Sequence, residues 1–270
     1  MVEKIKSFIK RAYLLIIFIF LYTPIITLMI FSFNDSKTMG SWSGFTLRWY
    51  KQLVNDDKIM EALFYTLLIA ILASTISTIV GTFTAIGINN MRNRKRKNIL
   101  LSINQLPVLN PDIVTGISLM SLFIFFNMNF GFVTLLLAHI SFDIPYVILS
   151  VLPKLKSLPE NTIEAALDLG ATPLYAIRKI IIPQIRPGIM AGFLMAFTMS
   201  IDDFVISFFT TGPGVTNLSI EIYSMAKRGI KPEINALSTI MFFTVLILLL
   251  IVNKKDNNKG DDYDKAIERN

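Results

Sequence analysis

Three stretches of this chain, residues 13–31, 62–88 and 235–252, contain no charged side chain, and three more, 99–125, 132–152 and 187–209, carry aspartate as their only charge. A helix needs ~20 apolar residues to cross the hydrocarbon of a bilayer, and each run approaches or exceeds that length. The expected fold is therefore an all-α integral membrane protein with six transmembrane helices. The third and fourth runs are joined only by the short turn Asn127–Gly131. No domain boundary is visible, so residues 1–252 read as a single transmembrane domain. Residues 253–270 read as a charged tail with almost nothing apolar to bury. The absence of cysteine excludes disulfides and thiolate metal sites.

Orientation follows from the basic residues. Six spans place both termini on one side, and assigning that side to the cytoplasm puts 19 of the 26 lysines and arginines inside. They include the run Arg92, Arg94, Lys95, Arg96 and Lys97. That distribution is the positive-inside bias, so the net charge of +7 reports topology and contact with lipid rather than affinity for nucleic acid. The first run ends in Phe31-Ser32-Phe33-Asn34, which lacks a small-x-small cleavage signal and reads as a retained helix.

Residues 154–186 form the principal polar interruption on the cytoplasmic side. Within them, EAALDLGATPLYAIRKIIIP spans residues 164–183. Two short helices are expected, over 160–169 and 173–182. Gly170 permits the turn that ends the first, and Thr172-Pro173 is an N-cap and N1 pair for the second. Ala165 and Ala166 keep one face thin, while Glu164 and Asp168 present carboxylates one turn apart. Pro183 closes the segment. Such an element suits docking into a groove on another protein. No phosphate-cradling G-x-x-x-x-G-K-[ST] stretch occurs, so the chain is expected to carry no nucleotide site and no enzymatic activity.

Acidic residues inside apolar spans are expensive and mark function by default. Four occur here: Asp112, Asp143, Asp202 and Asp203. Counted along straight helices from the cytoplasmic side, Asp112 lies about 20 Å and Asp202 about 22 Å across the membrane. No lysine or arginine shares that depth, and an external cation is the simplest missing partner. Pro107 and Pro111 interrupt the backbone just before Asp112, as expected of a helix lining a cavity. Small residues recur every four positions at Gly188, Gly192, Ala196 and Ser200, and at Ala73, Ser77, Gly81 and Ala85, as helix-packing faces. Asp203 projects near the Ser200 side of its helix and Asp202 away from it. Asp143, beside Pro145, also fits a packing role within the bundle, and His139 fits a hydrogen-bonded helix histidine better than a proton relay. Trp42, Phe45, Trp49 and Tyr50 cluster in the longest outer loop, as an interfacial belt or as a flank of the substrate entrance. Residues 219–228 read as an amphipathic surface helix stopped at Gly229.

The segment 164–183 resembles the EAA loop of ABC-type importer permeases. The stretches SIDDFVISFFTTGPG (200–214), KRGIKPEINALST (227–239), GFTLRWY (44–50) and PDIVTG (111–116) narrow the resemblance to the C-type permeases of spermidine/putrescine importers. The resemblance implies a type I importer permease fold and a heterodimer with a second, B-type permease. It also implies two cytoplasmic ATPase subunits that bind the ATP and magnesium, and an external polyamine-binding protein. It associates Asp112, Asp202, Asp203, Ser200 and Trp49 with polyamine uptake, and residues 164–183 with the ATPase. Two alternatives stay open: another cationic solute as cargo, and a proton-coupled carrier that uses the aspartates as relays.

Overall fold

The computed structural model describes residues 2–36, 41–159, 162–228, 232–247 and 250. The expected tail at 253–270 and the helix stop at Gly229 lie outside them. The described residues are helical apart from short turns, loops and one isolated bridge, Asn34 with Phe45. The helices are α1 (Val2–Phe31), α2 (Arg48–Val54), α3 (Asp57–Asn89), α4 (Arg94–Leu109), α5 (Asp112–Phe125), α6 (Phe132–Lys156), α7 (Thr162–Asp168), α8 (Pro173–Ala176), α9 (Ile182–Asp202), α10 (Val205–Thr210) and α11 (Leu218–Arg228). A further apolar helix, α12, covers Pro232–Ile247. Among the described residues, four helices are long and apolar enough to cross a membrane, and up to five crossings result if a bent pair counts as one.

That bent pair replaces the straight third span. The run 99–125 divides into α4 and α5, which meet at an angle of 105°. The cause is local: Asn110 and Pro111 are both extended, with ψ of 144° and 137°. Pro111 has no N–H to continue the ladder and pushes the residue before it out of the helical region. The depth counted along a straight helix for Asp112 therefore does not apply.

The fifth span is also rebuilt. The helix expected over 173–182 does not stop at residue 182; α8, a π-helical turn at Ile177–Ile181 and α9 run on as one 30-residue rod, Pro173–Asp202. Pro183 offers no N–H to the Lys179 carbonyl, which accounts for a wider turn just before it. At the other end the rod stops at Asp202, and α10 begins only at Val205.

The chain divides into two compact units, one of Met1–Met60 and Ile222–Asn270, the other of Glu61–Glu221. In the second, α6 is the central helix, buried along most of its length. Lipid tails are as apolar as leucine, so helices associate there by close packing rather than by escape from water. The small-residue faces supply that packing. A β-carbon on Gly81 of α3 would lie 2.8 Å from Val147, and one on Gly192 of α9 would lie 3.3 Å from the Val147 backbone. Val147, Val151, Ile185 and Ala196 fill the space between. On the far side, α10 packs against α5, with Gly116 admitting the Phe209 ring.

In the first unit, Asn34 organises the loop between α1 and α2. Its side chain donates to the Ser41 carbonyl at 2.8 Å and accepts from the Ser43 N–H at 2.9 Å. Its carbonyl accepts from the Trp49 indole at 2.7 Å.

Candidate functional site

Two broken helices define the site. In the second unit the chain breaks at Asn110–Pro111 and again at Asp203–Phe204, and each break carries carboxylates. Contact between α5 and α10, closed by Gly116 against Phe209, brings the two breaks together. Asp112 is then close enough to Asp202 and Tyr146 for its charge to act on both.

The four aspartates sit in different surroundings. Asp112 occupies the first turn of α5, where free N–H groups and the positive end of the helix dipole favour a carboxylate. Asp203 is nearly buried and accepts from the backbone N–H of Ile206 at 3.1 Å and of Ser207 at 2.7 Å. It thus ties down the start of α10. Asp202 has the reverse position. It ends α9, at the negative pole of that dipole, with no basic residue in the last turn and with Asp203 and Asp112 nearby. Asp112 and Asp202 are exposed, whereas Asp143 is fully buried.

Behind the breaks lies a buried polar network. His139 on α6 contacts Ser200 on α9 through Nδ1 at 3.1 Å and Ser207 on α10 through Nε2 at 2.9 Å, bridging the break. Ser200 Oγ also hydrogen-bonds Asp143 Oδ2 at 2.8 Å, and Ser207 Oγ bonds Asp203 Oδ2 at 2.8 Å. Asn217 donates to Ser207 Oγ at 2.7 Å and to the Asp203 carbonyl at 3.0 Å. The expectations for His139 and for the Ser200 side of Asp203 hold. The sequence reading missed Ser207 and Asn217. Ser207 was recoverable, because an aspartate followed three and four residues later by free amides marks a helix start. Asn217 carried no local signal.

Trp49 is elsewhere. It belongs to the first unit, buried, with its N–H on Asn34 and the Arg48 guanidinium 4.3 Å from its ring centroid. Trp42 and Phe45 in the same loop are exposed.

The segment 164–183 takes the expected form at its turn. Gly170 has φ +84°, its N–H bonds the Leu167 carbonyl at 2.9 Å, and the Ala171 N–H bonds the Ala166 carbonyl at 3.0 Å. Thr172 caps α8 through the Tyr175 N–H. Glu164, Ala165, Asp168 and Pro183 are exposed and Ala166 is buried. An open cavity of about 510 Å³ lies beside Ala166, Leu169, Gly170, Thr172 and Tyr175. Leu169 and Leu174 are 89% and 69% exposed, an apolar edge suited to a protein partner.

Residues 77–253 match the family described as binding-protein-dependent transport system inner membrane component. The spermidine/putrescine transport system permease protein PotC of Escherichia coli K12 is 39% identical over 243 residues, covering 90% of this chain and 92% of its own. The putrescine transport system permease protein PotI of the same strain is 40% identical over 238 residues, covering 86% and 85%. Among solved structures, a bacterial ABC transporter involved in the import of the acidic polysaccharide alginate superposes with a TM-score of 0.71 at 19% identity, covering 94% of this chain and 99% of that one.

Proposed function

The chain belongs to the binding-protein-dependent transport system inner membrane components, and from that membership we propose that it is the translocating permease of an ATP-driven polyamine importer. It is a multi-pass protein of the inner membrane. In the proposed topology six spans leave both termini in the cytoplasm, with α4 and α5 forming the third and α12 the core of the sixth. A second, B-type permease completes the pathway, two cytoplasmic ATPase subunits bind the ATP and magnesium, and an external binding protein delivers spermidine or putrescine.

One observation carries the choice of cargo. Asp202 stands exposed at the carbonyl end of α9, beside Asp112, with no basic residue in that last turn. A protonated amine supplies both the charge and the N–H donors that such a place lacks. The fold itself is neutral on this point, because an importer of an acidic polysaccharide shares it. The polyamine permeases at 39% and 40% identity support the same cargo. Asp112 and Asp202 would meet the amine, with Asp203 fixing the break behind them. Ser200 and Asp143 act in the network that holds the break. Trp49 secures the outer loop through Asn34, leaving Trp42 and Phe45 to face an arriving methylene chain.

Coupling follows from the continuous rod. Residues 173–202 join the ATPase-facing turn directly to Asp202, so closure of the ATPases on Glu164–Pro183 tilts the same helix that carries the acid. A tilt of 10° about the middle of a rod ~45 Å long moves its end by about 4 Å, enough to open or close a cation site. Only a cargo or nucleotide that binds one orientation better than the other can drive that exchange.

The test is reconstitution of the complete transporter in liposomes, with uptake of putrescine and spermidine measured with and without ATP. ATP-dependent uptake is expected. Asp202→Asn and Asp112→Asn each should lower it about tenfold, the worth of one charge-assisted hydrogen bond. Uptake without the ATPase partner, or transport of another cation in preference to both polyamines, overturns the reading.

A further inference from the structure

Four hydrogen bonds run in series through the buried core of the second break. They join Asp143 Oδ2 to Ser200 Oγ, Ser200 Oγ to His139 Nδ1, His139 Nε2 to Ser207 Oγ, and Ser207 Oγ to Asp203 Oδ2, at 2.8, 3.1, 2.9 and 2.8 Å. Each needs one proton between its two heavy atoms. The two hydroxyls bring one each and a neutral imidazole brings one, so the supply is a proton short. Asn217 does not mend the deficit, since its bond to Ser207 Oγ enters from outside the series. Without the extra proton, one contact would press two lone pairs together in a site that excludes water. A buried polar contact of that kind is costly.

Three groups could hold the missing proton. Asp203 is the poorest choice, because both its oxygens already accept from amides, Oδ1 from Ile206 and Oδ2 from Ser207. Asp143 receives no backbone donor, is fully buried, and its Oδ1 finds no partner among the described residues. His139 is the remaining holder, 3.7 Å from Asp203 Oδ2. A proton on Asp143 gives carboxylic acid and neutral imidazole; moved through Ser200 to His139, it gives carboxylate and imidazolium. The two forms differ only by relay along one hydroxyl and have the same net charge. Tyr146, on the same helix, lies close to Asp143 and contributes no charge of its own as a neutral phenol.

We propose that Asp143, Ser200 and His139 share a trapped proton and form an electrically neutral triad, so that Asp143 lends no charge to the pathway. Of the four membrane aspartates, Asp112 and Asp202 then carry the attraction for cargo, and Asp203 serves as the charged anchor of the α9–α10 break. The consequence for cargo rests on the polyamine reading above, whereas the proton count does not.

Asp143→Asn separates the possibilities. The amide presents an N–H to Ser200 Oγ, which frees the Ser200 hydroxyl for His139 and satisfies all four contacts with no borrowed proton. In the reconstituted transporter, with loaded binding protein saturating, uptake by Asp143→Asn is expected within about twofold of wild type. Asp112→Asn and Asp202→Asn should fall about tenfold under the same conditions. Thermal unfolding of the assembled, detergent-solubilised transporter gives a readout independent of cargo. Asp143→Asn should leave the midpoint within about 2 °C, because a neutral group replaces a neutral unit. A midpoint rise of more than about 5 °C would mean that an unneutralised buried carboxylate had been removed. A comparable fall would mean interactions the amide cannot reproduce. Either shift overturns the proposal, as does a loss of uptake matching Asp112→Asn. If the wild type carries neither polyamine, the cargo reading fails alone, and the midpoint still decides the proton.

Discussion

Gly170 is the position where backbone conformation bears most directly on the proposed coupling. Its φ of +84° lies in the left-handed region, and a β-carbon added there would meet nothing within 4 Å. Crowding by neighbours therefore adds nothing, and a substitution is charged only for the backbone conformation. For alanine that is about 1–2 kcal/mol, which reduces the population of the turn about 5- to 30-fold. Asparagine visits this region far more readily than other non-glycine residues, while a β-branched residue is an outlier there. The expected order of ATP-driven uptake per ATP hydrolysed is Gly, then Asn, then Ala, then Val. The assay is parallel measurement of phosphate release and polyamine uptake in proteoliposomes, because a loosened turn should spare hydrolysis and lose transport. Valine and asparagine are similar in size, so their separation tests conformation against bulk. If alanine outperforms asparagine, space rather than φ governs the site and the reasoning fails.

Two further predictions concern the packing that brings the helix breaks together. Gly116→Ala would set a β-carbon 2.9 Å from Phe209 Cδ2, costing about 1–3 kcal/mol in midpoint-derived stability; because the obstacle is a ring edge, Phe209→Leu in the same chain should recover most of it. Gly212→Ala would place its β-carbon on the Phe130 carbonyl, a backbone atom that cannot swing aside. The yield of assembled transporter on size exclusion should drop sharply, while Gly131→Ala, which meets nothing within 4 Å, serves as the tolerated control.

Much of the fold was legible because apolar length and small-residue spacing are local properties. The faces Ala73–Ala85 and Gly188–Ser200 pack on α6 as their four-residue intervals predict, and the Gly170 turn takes the required φ. The helix breaks were harder to read. Pro107 and Pro111 both announced an interruption, yet Pro107 stays inside α4 and only Pro111, after an extended Asn110, turns the chain by 105°. The choice between them depends on what packs beyond the bend, namely α10 against Gly116, which lies about ninety residues away in sequence. At 203–204 the run is apolar apart from Asp202 and Asp203, so averaged hydropathy hides the break. Only the aspartate's capacity to hold free amides betrays it. In the segment 154–186 the reverse error arose: a helix over 173–182 was expected to be separate from the run 187–209, and a π-helical turn carried the chain through.

The placement of the aspartates explains why the breaks exist. A carboxylate on an unbroken helix in lipid finds every backbone N–H already taken by the ladder. Breaking the helix releases N–H groups at the new start, and Asp112 and Asp203 stand at such starts, on α5 and α10. Each break thus provides the polar surroundings for one acid. Every new start also implies an old end, whose free carbonyls concentrate negative potential. Asp202 is fixed at that end on α9, where the free carbonyls repel it and its own backbone N–H acts as a donor to it. The arrangement therefore satisfies Asp203 with amides of the next helix and leaves Asp202 on the exposed side with a backbone donor from its own residue. Exchanging their positions in charge, with Asp203→Asn against Asp202→Asn, should separate the two roles: the first should lower the unfolding midpoint, the second should lower uptake at an unchanged midpoint. Identical effects from the two variants would mean that the break does not sort its acids, and the account of the cation site would fall with it.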